Sequence, residues 1–288
     1  MKFSRFFVYI LLFVFLSGTC KQKASSPAKA FTPIAYSGYY SNANGKTGAE
    51  LKTALFEIIS NPHVVSYSEI WQAFEKTDLK PDGSIWDMYS DNPSQKAAYI
   101  YTFNLNRCGT FRREGDCYNR EHSVPKSWFK GASPMYRDLF HVYPTDGYVN
   151  NRRGNLPFGE VGIFSWESTN GSRVGQNTFG NFTQTVFEPI DEYKGDFART
   201  YFYMVTAYEN DVANWRSAQI GGNKYPAIKD WAVGMFLKWH RQDPVSEKER
   251  NRNEAVFGIQ KNRNPFIDYP EIAEHVWGNK KNKPFKFK

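Results

Sequence analysis

The chain has 288 residues, 41% of them hydrophobic and 17% aromatic, with a formal net charge of +8 from 37 basic and 29 acidic side chains. So much apolar side chain excludes a disordered polymer and is enough for one sizeable core. The basic balance suits a polyanionic partner, nucleic acid or an acidic membrane.

Lys2 and Arg5 precede an apolar run, Phe6 to Leu16, that ends in Ser17-Gly18-Thr19. This is the order of a secretory signal peptide over residues 1–19. Eleven apolar residues span only about 16 Å as a helix, too short for a bilayer core. Cys20 follows directly. Leu16 stands one position too far from it for the Leu-small-small-Cys lipid-attachment pattern, so the expectation is export, with a membrane tether through Cys20 as an open alternative. Residues 20–35, rich in Lys, Ser, Ala and Pro, predict a flexible tether. Residues 36–277 contain no second linker and no internal repeat, and predict one domain. The basic tail GNKKNKPFKFK, 278–288, predicts a mobile end.

Within the domain, Leu51, Ala54, Leu55, Ile58 and Ile59 recur at helical spacing until Asn61-Pro62. AYIYTF, 98–103, is aromatic and β-branched enough for a strand, and CYNREHSV, 117–124, fits a second that ends before Pro125. In an oxidising compartment Cys108 and Cys117 are expected to form a disulfide around GTFRREGD, in preference to free thiols or zinc ligands, because Cys-x8-Cys is not a usual zinc spacing. A helix fits 195–210. Another carries Ile228, Trp231, Ala232, Met235, Phe236 and Trp239 on one face up to Asp243-Pro244, with His240 beside the stripe as a packing or C-terminal histidine. Ser246-x-x-Glu249 is a capping box for the next helix. Long helices around short central strands predict an α+β fold, mostly helical.

Two central stretches concentrate polar chemistry. One is NREHSVPKSW, 119–128. The other, 138–160, holds Asp138, His141, Asp146, Asn150, Asn151, Arg152, Arg153 and Asn155, with Pro144 and Gly147 expected to set turns. An irregular functional loop feeding a short helix has this composition. Hydrolysing a phosphodiester needs a base for water, and a histidine suits neutral pH. It also needs a hard cation at the developing charge, held by oxygen ligands, and forked donors for the phosphate. The two stretches offer His122 as base, Glu121 and Asn150 as metal ligands, and Arg120, Arg152 and Arg153 as phosphate contacts. Each has a plain alternative: Asn150 as a helix N-cap, Arg152-Arg153 as a solvated pair, Asp146-Gly147 as a turn.

Together these stretches resemble the endonuclease I family, secreted bacterial nucleases with a ββα-metal (His-Me finger) site. Asn119-Arg120-Glu121-His122 with Pro125 and Ser127 matches a first motif, and Thr145 to Asn155 with Pro157-Phe158-Gly159-Glu160 a second. Phe187-Glu188-Pro189 with Lys194 to Arg199, and Trp239-His240-Arg241 with Asn262 to Asp268, resemble a third and a fourth. The likeness covers roughly 36–275. It implies a mostly helical α+β domain around a small ββα-metal motif. His122 would be general base, Glu121 and Asn150 would bind one Mg²⁺, and Arg153 would contact phosphate. The product of this monomeric enzyme would be DNA, and in a second case RNA, cut without sequence preference to leave a 5′-phosphate. Two features depart from the pattern. Phe140 stands where members often have histidine, which leaves His141 a supporting or structural role, and the interval 129–138, from which some members supply a transition-state arginine, is short and holds only Arg137, so that role is unassigned. Phe140 and the basic charge motivate a different reading, a catalytically impaired, surface-tethered nucleic-acid binder. A zinc hydrolase using His122 and His141 lacks the usual motifs. One geometric question stands: neighbours on a regular strand face apart, so Glu121 and His122 can share a site only where the strand ends, bulges or twists.

Overall fold

The computed structural model describes residues 38–287. The signal peptide, the tether and Cys20 lie outside them. The described chain is a mixed α+β domain, with helices outnumbering two small antiparallel sheets. In order it runs α1 (Gly48–Ile59), α2 (Ile70–Thr77), β1 (Tyr118–His122), β2 (Val142–Asp146), α3 (Gly147–Arg153), β3 (Val161–Glu167), β4 (Arg173–Asn177), β5 (Thr185–Glu188), α4 (Asp191–Ala207), α5 (Asp230–Gln242), α6 (Glu247–Gln260), α7 (Pro265–Asp268) and α8 (Ile272–Val276).

The core is built around α4, which is buried along nearly all its length and packs on α1, α5 and α7. It begins four residues before the expected start. Asp191 and Glu192 occupy its first turn, where the helix dipole favours acids and no apolar period marks the boundary. The α5 stripe is buried as expected. His240 packs behind it, its Nε2 on the Pro270 carbonyl at 2.9 Å. Ser246 and Glu249 form the capping box of α6.

Three expectations are corrected. Residues 98–103 are not a strand and make a single bridge, Thr102 to Ser84. Their aromatic character serves Asp146 instead: the hydroxyls of Tyr99 and Tyr101 both donate to its Oδ2, at 2.9 and 2.5 Å. Pro144 makes no turn. It lies inside β2 opposite Arg120, tolerated because the sheet has only two strands. The tail is docked rather than mobile. The backbones of Gly45 and Lys46 bond to Phe285 in both directions, Phe285 is buried, and Phe287 stacks on Tyr40 at 5.2 Å. The two phenylalanines among the lysines supply the apolar contact.

Asp138, counted among the functional residues above, is a structural hub. Fully buried, it accepts from the hydroxyls of Tyr203 and Tyr208, the Gln260 amide and the Phe140 N–H. It thereby anchors the connection that leads into β2.

Candidate active site

β1 and β2 pair antiparallel, with Glu121 opposite Tyr143 and His122 opposite Val142, and the chain passes from β2 straight into α3. Asp146 caps α3 by accepting the Val149 N–H at 2.9 Å, so Asn150 is not the cap and its side chain is available. The Cys108–Cys117 disulfide is formed. Its loop is pinned to the start of α3: the Gly147 N–H donates to the Cys117 carbonyl and the Gly115 N–H to Asp146 Oδ2. Gly147 is needed there, since a Cβ would lie 2.8 Å from the Phe111 ring and 3.2 Å from the Asn119 amide nitrogen.

This ββα unit walls a cleft of about 400 Å³, lined among others by Asn119, Arg120, Glu121, His122, Asn150 and Asn155. Glu121 and His122 therefore do share a site. β1 stops at His122, and the Arg153 guanidinium takes the carbonyls of His122 and Ser123 at 2.9 and 2.6 Å, holding the chain where the strand pattern breaks.

Glu121 is 3% exposed. Its Oε1 accepts from Tyr89 at 2.8 Å and from Arg153 at 2.7 Å. Burial raises its pKa and Arg153 opposes the rise. With both bonds on Oε1, Oε2 is left for a ligand in the cleft. The Asn150 amide nitrogen donates to Asn119 Oδ1 at 2.7 Å, which orients the amide and leaves Oδ1 as an acceptor. One carboxylate oxygen and one amide oxygen at the same cleft are a donor set that fits a hard, hydrated divalent cation. Among the described residues no three of His, Cys, Asp and Glu gather to hold a metal, which is the arrangement the zinc reading needed.

His122 is 6% exposed and lines the cleft. Its Nε2 lies 3.0 Å from the Tyr136 carbonyl, an acceptor, so Nε2 carries the proton and Nδ1 offers its lone pair. The ring stacks on Tyr136 at 4.9 Å. Burial, then the neighbouring His141, push its pKa down to about 3, so the imidazole is neutral at physiological pH. His141 sits behind it, fully buried, donating Nε2–H to the Met135 carbonyl at 2.7 Å. Successive carbonyls of one 3₁₀ turn, Met135–Arg137, thus orient both histidines.

The arginines divide. Arg120 lines the cleft, with one nitrogen on the Tyr67 carbonyl. Arg152 is exposed and stacks on Trp166 at 5.2 Å, beside the cleft rather than in it. Arg153 corrects its expectation. Its guanidinium has no exposed surface, so it cannot reach a substrate phosphate, and it orients Glu121 instead. Arg137 is not among the cleft-lining residues and donates to the Val65 carbonyl at 3.2 Å. Phe140 packs in the core on Tyr203 at 4.5 Å, so this departure removes nothing from the cleft. Sequence reasoning missed Tyr89, Tyr67, Trp71 and the Tyr136 carbonyl. All come from segments outside the two motifs or from backbone, which no side-chain pattern announces. Asn119 was legible, standing beside Arg120, but had no assigned task.

A histidine, an acid and an amide thus line one cleft of a ββα unit, an arrangement that fits a nuclease class of site. Residues 47–271 match the family described as Endonuclease I, and the chain belongs to that family. It is a nuclease, a phosphodiester hydrolase. An extracellular ribonuclease of Bacillus amyloliquefaciens is 35% identical over 255 residues, covering 83% of this chain and 78% of the relative. One of Bacillus subtilis (strain 168) is 36% identical over 248 residues with the same shares, 83% and 78%. A periplasmic deoxyribonuclease of Aeromonas hydrophila is 24% identical over 198 residues, 68% of this chain and 74% of the relative.

Proposed function

We propose that this is an exported, Mg²⁺-dependent endonuclease that hydrolyses DNA and RNA without sequence preference. The observation that carries this is the neutral, Nδ1-exposing His122 on one cleft with the free oxygens of Glu121 and Asn150. His122 Nδ1 accepts a proton from water as the water oxygen bonds to phosphorus and the bond from phosphorus to the 3′ oxygen breaks; the 3′ oxyanion takes a proton from solvent and His122 returns its own to solvent, leaving a 5′-phosphate and a 3′-hydroxyl. Glu121 and Asn150 would hold Mg²⁺, which supplies electrostatic stabilisation of the charge that grows on the phosphoryl and leaving oxygens. Arg120 holds a phosphate oxygen. Arg153 and Tyr89 keep Glu121 aimed. Extracellular and periplasmic relatives support export, and their names span both sugars.

Protein lacking residues 1–19 should nick plasmid DNA and degrade RNA with Mg²⁺ and stop when chelator is added. His122→Ala should lower turnover by about 10²–10⁴-fold with unchanged thermal stability. Chelator-resistant cleavage, or full turnover in the variant, refutes the mechanism.

A further inference from the structure

Two groups of arginines over aromatic rings lie at or next to residues that line the cleft. In one group the Arg120 guanidinium lies 3.5 Å from the Tyr67 ring centroid and 4.5 Å from that of Trp71, and Arg107 lies over Trp71 at 5.3 Å. In the other, Arg152 covers Trp166, whose ring is 6.3 Å from that of Tyr148, and Tyr148 in turn meets Phe111 of the disulfide loop at 6.4 Å. Both groups adjoin residues of the cleft: Cys108 and Gly109 of that loop line it, as does Asn151, which is on α3 with Tyr148 and Arg152.

Charge separates these arginines from others in the molecule. Arg153, Arg199, Arg252 and Arg263 are each paired with a carboxylate. Among the described residues, Arg107, Arg120 and Arg152 make no ion pair with a carboxylate, although Arg107 and Arg152 are exposed and Arg120 half-buried. Three uncompensated guanidinium groups held on rings at or beside one cleft suit a polyanion whose bases can also stack.

We propose that these groups form a track for an unpaired nucleic-acid strand, and that the enzyme therefore prefers single-stranded to double-stranded substrate. This rests on the nuclease reading above. Glu121 and His122 line the cleft and are buried, so the scissile phosphate has to enter it beside these groups. A single strand can do this with its bases splayed onto Trp71 and Trp166, whereas a duplex keeps its base faces stacked internally and has none to offer.

The test is fluorescence anisotropy on the cleavage-silent His122→Ala protein without metal, using a labelled 12-nucleotide DNA alone and annealed to its complement. The single strand should bind about tenfold tighter or more. On that background Trp166→Ala should weaken single-strand binding about tenfold and Arg107→Gln by about threefold to tenfold, with little change for duplex. Equal affinity for the two forms overturns the proposal. So does retained single-strand affinity in the folded Arg107→Gln variant, an exposed position where folding is not at risk. Wild-type protein that cuts neither form with Mg²⁺ would defeat the nuclease reading, while the binding ratio would still judge the track.

Discussion

Two buried carboxylate–arginine pairs in this molecule have the same chemistry and differ in how far the carboxylate is engaged. Glu249 and Glu121 are 4% and 3% exposed, and each faces a fully buried arginine. Arg199 takes both oxygens of Glu249, Nε to Oε1 and Nη2 to Oε2, and the Ser246 N–H adds a further bond to Oε2. Arg153 takes only Oε1 of Glu121, and Tyr89 joins it on the same atom. The first pair is closed, fastening α6 to α4. The second is open on one side, toward the cleft. Burial and pairing therefore do not set these two acids apart; the count of engaged oxygens does.

The sharpest way to break this contrast is to exchange the consequences. Glu121→Gln should cut Mg²⁺-dependent turnover by about 10³-fold, since the metal-binding charge is lost while the amide still accepts from Tyr89. Its thermal midpoint should fall as well, since the buried Arg153 loses its one paired carboxylate, so turnover is compared per folded molecule. Glu249→Ala should cost on the order of 3 kcal/mol of unfolding free energy, because the buried Arg199 keeps only the longer pairing to Asp196, with near-normal activity per folded molecule. Chemical denaturation and initial rates on the same samples read both. If Glu249→Ala is catalytically dead yet stable, or Glu121→Gln active, the distinction fails.

A second test concerns the buried histidines behind the open side. Burial holds His141 down to about 4, well below its ordinary value. The unfolded chain then binds a proton near pH 6.5 that the native state does not, so the stabilisation is present above pH 6.5 and is lost as pH falls toward 4. Asp87, raised to about 8, and Asp243, raised to about 7, both by burial, act in the opposite sense over that range. The contribution is therefore read as a difference. The stability deficit of His141→Asn relative to wild type should shrink by on the order of 3 kcal/mol between pH 7 and pH 4. A deficit independent of pH would show that His141 is not held neutral.

The smallest effect is expected at the junction of the open pair with its neighbour ligand. Gly147→Ala would drive a methyl into Phe111 and Asn119. We expect a loss of about 1–3 kcal/mol. We also expect a raised Mg²⁺ requirement, because Asn119 orients Asn150. Mg²⁺ titration of activity separates the two: a stability loss with an unchanged requirement would free Asn119 from that task.

Much of this was legible in the chain. The helices with an uninterrupted apolar stripe, such as α5, and those with a cap, such as α6, lie close to where periodicity and Ser246-x-x-Glu249 place them, because both signals are local. The acid, the histidine and the amide stand in two short motifs, and the structure brings all three to one cleft. The strand expected at 98–103 failed because β-propensity reports a surface to pack against, and here the tyrosines pack as hydrogen-bond donors to Asp146. Arg153 was misjudged for a related reason: charge suggests a surface, and only its partners reveal burial.

Residue order alone was sufficient to point to the family and the chemistry class and to single out three side chains that the fold places on one cleft, since spacing within a motif is a property of neighbours along the chain. Which oxygen of Glu121 is free, which nitrogen of His122 bears the proton, and whether Arg153 meets substrate or carboxylate are set by contacts between segments 14 to 32 residues apart. Tyr89, Tyr136 and Arg153 make those assignments, and their roles exist only once folding has brought their hydrogen-bonding groups within 3 Å or so of the site.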